Sequence, residues 1–308
     1  MRKSTKSIMI GTALSFAAAV PGFGATVGVL GTAEDFAVLG ASTVTNTGTS
    51  RLVGSPTVTA NLGVYAGSAI TGTGLGADEV IFTNGVLHAG DPVAQQAQTD
   101  VLKAYTALRL LAPTVNLTGQ DLGNYHTGAS GALAPGVYSF ASSAGITGKL
   151  QLDAQNKDGA YWVFQIGSSL TTASNSLVEL INANVTGNNG SDVGVFWVVD
   201  SSATLGVGST LEGNILAHTS ITLDTNAALQ NGRALAMTGA VTMDNNNISD
   251  LCVANNNGPG FSGGLVFASE TSSTLIPIPE PSVACILGLG LMGLCGFGRR
   301  PKITTGSG

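Results

Sequence analysis

Thr204, Thr222 and Thr242 stand at one place in three near-copies of a line: Ser202-Ala203-Thr204-Leu205, Ser220-Ile221-Thr222-Leu223 and Ala240-Val241-Thr242-Met243. A threonine carries a hydroxyl that both donates and accepts, beside a methyl, on a β-branched stem that is stiff at χ1. Repeated in register, such side chains hold hydroxyls and methyls at fixed positions. That arrangement orders water and breaks no bond. The chemistry it suggests is adsorption rather than catalysis.

Alternation of small or apolar residues with Thr is a strand pattern, in which residues i and i+2 share a face. With Ala203 and Leu205 facing in, Ser202 and Thr204 face out. The period is close to 20 residues, which is the mark of a stacked β-solenoid. The same outward pairs recur as Ser169 and Thr171, Ser220 and Thr222, Ala240 and Thr242, Thr43 and Thr45, and Ala69 and Thr71. They form two columns of small residues and Thr, candidate contact residues of a flat uncharged face. Lys149-Leu150-Gln151 is read as one coil earlier in the same sheet, where it ends the face. Asp153, Asp224 and Asp244 follow by two residues; turn positions are the plainer reading and a calcium column the alternative. The stretch 91–113 is the one helix, with Asp91 as N-cap, Pro92 in the first turn and a stripe of Ala94, Ala97, Val101, Ala104, Leu108 and Leu111. It is expected to lie along the solenoid. From Thr114 to Gly148 the chain reads as loop-rich, with a short apolar piece at 136–140.

Composition narrows the function. The chain has 308 residues, 43 of them Gly, with 10% charged and a net charge of −6. No basic run lies inside the domain, so nucleic acid is not an expected partner. Cys252 alone lies near the domain, which leaves no internal disulfide and no Cys zinc site there. His88, His126 and His218 lack metal-ligand spacing, and no cofactor is implied. A polysaccharide-cleaving solenoid would need carboxylates with a cationic partner on one face; Lys149 and Arg233 are the cations read among the repeated coils, and they do not supply one. Periodicity alone leaves a plain scaffold, an adhesin or an ice-binding face open, since Thr is favoured in strands in any case.

The two ends of the chain read differently from its middle. Arg2, Lys3 and Lys6 before an apolar run at 8–20 make residues 1–25 a secretory signal peptide. Residues 255–277 read as a flexible linker. Then come Pro279-Glu280-Pro281, an apolar run from Val283 to Phe297, and Arg299-Arg300. This tail, 278–300, resembles the PEP-CTERM sorting signal of Gram-negative bacteria. The resemblance implies a surface-sorted or secreted protein, held transiently in the inner membrane and cut by an exosortase-type enzyme. Residues 301–308 extend past the point where such tails stop.

The middle of the chain, from about Leu30 to Ala254, resembles the ice-binding-like family of microbial antifreeze proteins. The residues that carry the resemblance are Phe36-Ala37-Val38-Leu39 with Thr43-Val44-Thr45, Ala134-Pro135-Gly136-Val137-Tyr138, Trp162-Val163-Phe164-Gln165-Ile166, Phe196-Trp197-Val198-Val199, Glu212-Gly213-Asn214-Ile215-Leu216 and Asn231-Gly232-Arg233-Ala234-Leu235-Ala236. It implies a mostly β fold: a discontinuous right-handed β-solenoid of triangular cross-section, with one long helix alongside. N-terminal coils would stack on the coil near Thr242. The two columns would be the ice-binding surface of a monomer that is not an enzyme and whose partner is the ice crystal. A matrix solenoid that binds extracellular polysaccharide is the alternative.

Overall fold

Alternating burial along the coils is met by three parallel sheets. One has nine strands and the other two have seven each. The computed structural model describes residues 27–54, 59–74, 76–125, 131–183, 193–249 and 262–278; the expected signal peptide at 1–25, Cys252 and the expected sorting tail with Pro279-Glu280-Pro281 lie outside these. Each coil contributes one strand to each sheet. The coil through Gly194–Val199, Ala203–Leu205 and Thr210–Glu212 is typical.

Corners between the two seven-stranded sheets need left-handed backbone, which Gly and Asn tolerate best. The residues there are Asn175, Gly208, Asn226, Asn245 and Gly48, with φ of 58°, 65°, 60°, 56° and 66°. This is why Gly and Asn punctuate the coils.

The solenoid is discontinuous in sequence. Val241–Asp244 pairs with Thr43–Thr47, setting Thr242 opposite Thr45. The other two sheets close the same gap, with Ala234 opposite Val38 and Asn247 opposite Arg51. Arg233 locks the junction. Its buried guanidinium donates through Nε to the Glu34 carbonyl at 2.9 Å and through Nη1 to Asn214 Oδ1 at 3.0 Å. Burial raises the Glu34 carboxyl above its ordinary pKa, against the pull of the Arg233 charge.

Helix α1 (Pro92–Arg109) carries the chain from the N-terminal coils to the far end. Asp91 caps it by accepting from Ala94 N at 2.9 Å. Its buried stripe is Ala94, Ala97, Val101, Ala104, Ala107 and Leu108, against Leu39, Val163, Phe196, Val198 and Leu216 on the outer face of the nine-stranded sheet. Gln98 Nε2 donates to the carbonyls of Gly40 and Ala236, tying the helix to coils from both parts of the chain. Inside the solenoid, Tyr138, Phe164 and Trp197 stack in register, with ring centroids 5.4 and 4.0 Å apart. No described helix is long and apolar enough to cross a membrane.

Three expectations need correction. The loop-rich reading of 114–148 misses the first coil, which begins with Gly136–Phe140 and Ala144–Ile146. Glycines and serines hid its short strands. The linker reading of 255–277 fails from Ser262 onward. Leu265–Phe267 pairs antiparallel with Leu275–Pro277 and with Val27–Gly28. Leu265, Phe267 and Leu275 are buried in the core under α1. The Gly- and Ser-rich flanks masked a Leu-Val-Phe alternation, and burying a Phe side chain stabilises by roughly 2–3 kcal/mol. The third concerns Lys149, expected in the Thr sheet: Lys149–Asp153 lies in the other seven-stranded sheet.

Candidate functional site

The Thr strands share one seven-stranded sheet. Its order is Ala144–Ile146, Leu170–Thr172, Ala203–Leu205, Ile221–Leu223, Val241–Asp244, Thr43–Thr47 and Ala69–Thr71. Leu170, Ala203, Ile221, Val241 and Val44 point inward and are buried. Register then sets Gly145, Thr171, Thr204, Thr222, Thr242, Thr45 and Thr71 in one outward column. Two residues earlier along each coil, at or just before the strand, lies a second column of Ser143, Ser169, Ser202, Ser220, Ala240, Thr43 and Ala69. Every residue predicted for the face therefore falls in one of two adjacent lines. At roughly 4.8 Å per coil, six steps make a strip roughly 29 Å long, and the columns lie roughly 6.6 Å apart.

The columns differ in what their hydroxyls do. Among the described residues, Thr171, Thr204, Thr222, Thr242, Thr45 and Thr71 make no side-chain hydrogen bond. Their hydroxyls are left to water. In the second column, Ser143 and Ser169 share a hydrogen bond of 3.0 Å, and Ser202 and Ser220 accept from backbone N–H groups.

Charge bounds the strip. Asp121 bridges to Gly145 in the place of the next coil and accepts from Thr147 Oγ1 at 2.8 Å. Asp224 and Asp244 flank it at the corner, where Asp244 accepts from Thr225 Oγ1.

Lys149 and Gln151 are not in this sheet. Lys149–Asp153 begins the third sheet and pairs with Leu177–Ile181, so Asp153 is not aligned with Asp224 and Asp244. The face ends at Gly145 and Asp121 instead, and Ser143 and Gly145 are the positions the sequence reading missed. A signal for them exists. The last paired residue of the helix-side strand precedes the first inward residue of the Thr strand by four in Ile166–Leu170, Val199–Ala203 and Ala217–Ile221, and Phe140–Ala144 obeys the same offset.

The remaining polar chemistry is structural. His88 Nδ1 lies 2.7 Å from Asp91, His218 is exposed, and His126 is outside the described residues. The described residues hold no His/Cys/Asp/Glu cluster suited to a metal. An open groove of about 740 Å³ between α1 and the corner is walled by Tyr65, Gln98, Leu102, His218 and Met237, and no Asp or Glu lines it. The buried Glu212 carboxyl accepts from Leu180 N at 2.6 Å, and burial pushes its pKa up to about 7.

The ice-binding-like family model matches residues 38–249. The chain belongs to that family. It is 44% identical over 270 residues to an ice-binding protein of Nostoc sp. (strain HG1), covering 88% of this chain and 86% of that one. An ice-binding protein of Flammulina populicola is 30% identical over 226 residues, 69% of this chain and 84% of its own. The fold matches a crystal structure of an ice binding protein from an Antarctic Biological Consortium with TM-score 0.61 and 32% identity, covering 79% of this chain and 96% of that one. The ice-binding protein of Antarctomyces psychrotrophicus superposes with TM-score 0.61 at 33% identity, over 72% and 98%.

Proposed function

We propose that this chain is an ice-binding protein that adsorbs to ice through the two-column face, and so slows ice growth and recrystallisation without catalysis. The observation that carries the reading is the unbroken column from Thr171 to Thr71, each Thr in register with the next and, among the described residues, each hydroxyl without a protein partner. Stiff Thr side chains at coil spacing hold hydroxyls and methyls in a fixed lattice. No charge interrupts that column, so strongly hydrated ions do not disturb an ice-like water layer over it. Export by residues 1–25 and sorting through Pro279-Glu280-Pro281 with Arg299-Arg300 would place the monomer outside the cell, after transient anchoring in the inner membrane and action of an exosortase-type enzyme.

The test is thermal hysteresis and ice-recrystallisation inhibition on residues 26–278, with Thr204→Tyr and Thr222→Tyr. Wild type is expected to be active and both variants to lose most activity at unchanged melting temperature. Unchanged activity in both would remove the face assignment. If the wild type is inactive but is retained by extracellular polysaccharide, the adhesive alternative takes its place.

A further inference from the structure

Ser202 and Ser220 stand in the outward column, yet their oxygens are turned to the backbone. The Ser202 hydroxyl accepts from Ser220 N at 3.3 Å, one coil on. The Ser220 hydroxyl accepts from Ala240 N at 3.2 Å, again one coil on. These two N–H groups sit where the chain turns from the helix-side sheet into the Thr sheet, just before Ile221–Leu223 and Val241–Asp244. The ladder brackets them without using them. Thr219 N donates to the Ser201 carbonyl and Ile221 N to the Ala240 carbonyl, while Gly239 N donates to the Thr219 carbonyl. Neither Ser220 N nor Ala240 N takes a backbone acceptor among the described residues. Both residues are only partly exposed, so an unpaired N–H there carries part of the penalty of a lost hydrogen bond. Each lies two residues before a column Thr, Thr222 and Thr242.

We infer that Ser202 and Ser220 are positioning residues, each strapping the start of the following strand and thereby fixing where Thr222 and Thr242 stand. The column's other occupants fit this division. Ala240 and Ala69 have no hydroxyl, Ser143 and Ser169 bond each other, and among the described residues Ser202 and Ser220 are the column members whose hydroxyls accept from a corner N–H. The straps fall at the centre of the strip and join consecutive coils, stopping at the coil whose Val241–Asp244 strand meets Thr43–Thr47 across the junction.

The inference rests on the ice-binding reading for its functional arm, and its structural arm stands alone. Site-resolved amide exchange on the full chain compares wild type, Ser220→Ala and Ser220→Thr. Ser220→Ala is expected to speed exchange at Ala240 by about tenfold while amides of Val195–Val199 are unchanged, and Ser220→Thr restores protection. Unchanged Ala240 exchange in Ser220→Ala overturns the strap, whatever the ice activity. The functional arm is a double-mutant cycle in thermal hysteresis. Ser220→Ala alone should lower activity about twofold, and it should add nothing in a Thr242→Ala background, because it acts through Thr242. Equal losses in both backgrounds would make Ser220 a direct contact and overturn its positioning role. If wild type shows no hysteresis, the ice-binding reading fails and the exchange result still decides the strap.

Discussion

The Thr sheet and the third sheet come from the same coils, at the same spacing, with the same number of strands, and both turn one face to solvent. Their outer surfaces differ in every other respect. The third sheet lines up Lys149, Leu177, Thr210, Ala228, Asn247, Arg51 and Ile81. Its side chains bond to one another: Lys149 Nζ and Gln151 Nε2 each lie 2.6 Å from Glu179 Oε1. Those cross-strand contacts tie up the polar groups of its first two strands within the protein. The Thr column makes no such contacts and presents one side-chain length with no charge. Backbone geometry supplies a lattice to both faces, and the side chains decide which one is left for water.

Placing a charge on each face breaks the comparison most sharply. Thr222→Lys is expected to lower thermal hysteresis more than tenfold, while Asn247→Lys, exposed on the third sheet, leaves it within error at equal protein concentration. Equal losses would mean that neither face is special.

The second expected effect concerns the corner beside the third sheet. Glu212 is buried there with a pKa near 7, above the ordinary carboxylate value of 4.5. Between those two pH values the folded state keeps a proton that the unfolded chain releases, so stability falls as pH rises through the window and levels off above it. The cost is at most about 3.4 kcal/mol. Chemical denaturation of wild type from pH 4.5 to 8 should show this slope, and Glu212→Gln should flatten it. A slope that persists in the variant assigns it to other groups.

The smallest effect extends the active face. A Cβ at Gly145 meets only Asp121 Oδ2, at 3.3 Å. Gly145→Thr therefore continues the column with a small shift of that side chain, and a modest gain in hysteresis is expected.

Much of this was legible beforehand, for identifiable reasons. The Thr strands announced themselves because inward apolar and outward Thr residues alternate with period 2 while coils repeat near 20. The helix was legible from Asp91, Pro92 and its Ala stripe. The closure of Thr45 on Thr242 came through family resemblance, since no local pattern encodes contact between residues nearly 200 apart. The Ala144–Ile146 strand stayed hidden because Gly145 carries no Thr, and Lys149 was misplaced because Lys-Leu-Gln has the same polar–apolar–polar form on either exposed sheet. Burial of Arg233 and the Ser straps depend on atoms from neighbouring coils, which one strand's sequence does not report.

The central claim is that ice meets the Thr face and no other. It is tested most directly by the fraction of fluorescently labelled protein incorporated into a slowly growing ice hemisphere. Wild type and Asn247→Lys should be taken into the ice equally, and Thr222→Lys should be excluded from it. Incorporation of Thr222→Lys at the wild-type level, or exclusion of the wild type itself, would contradict the account.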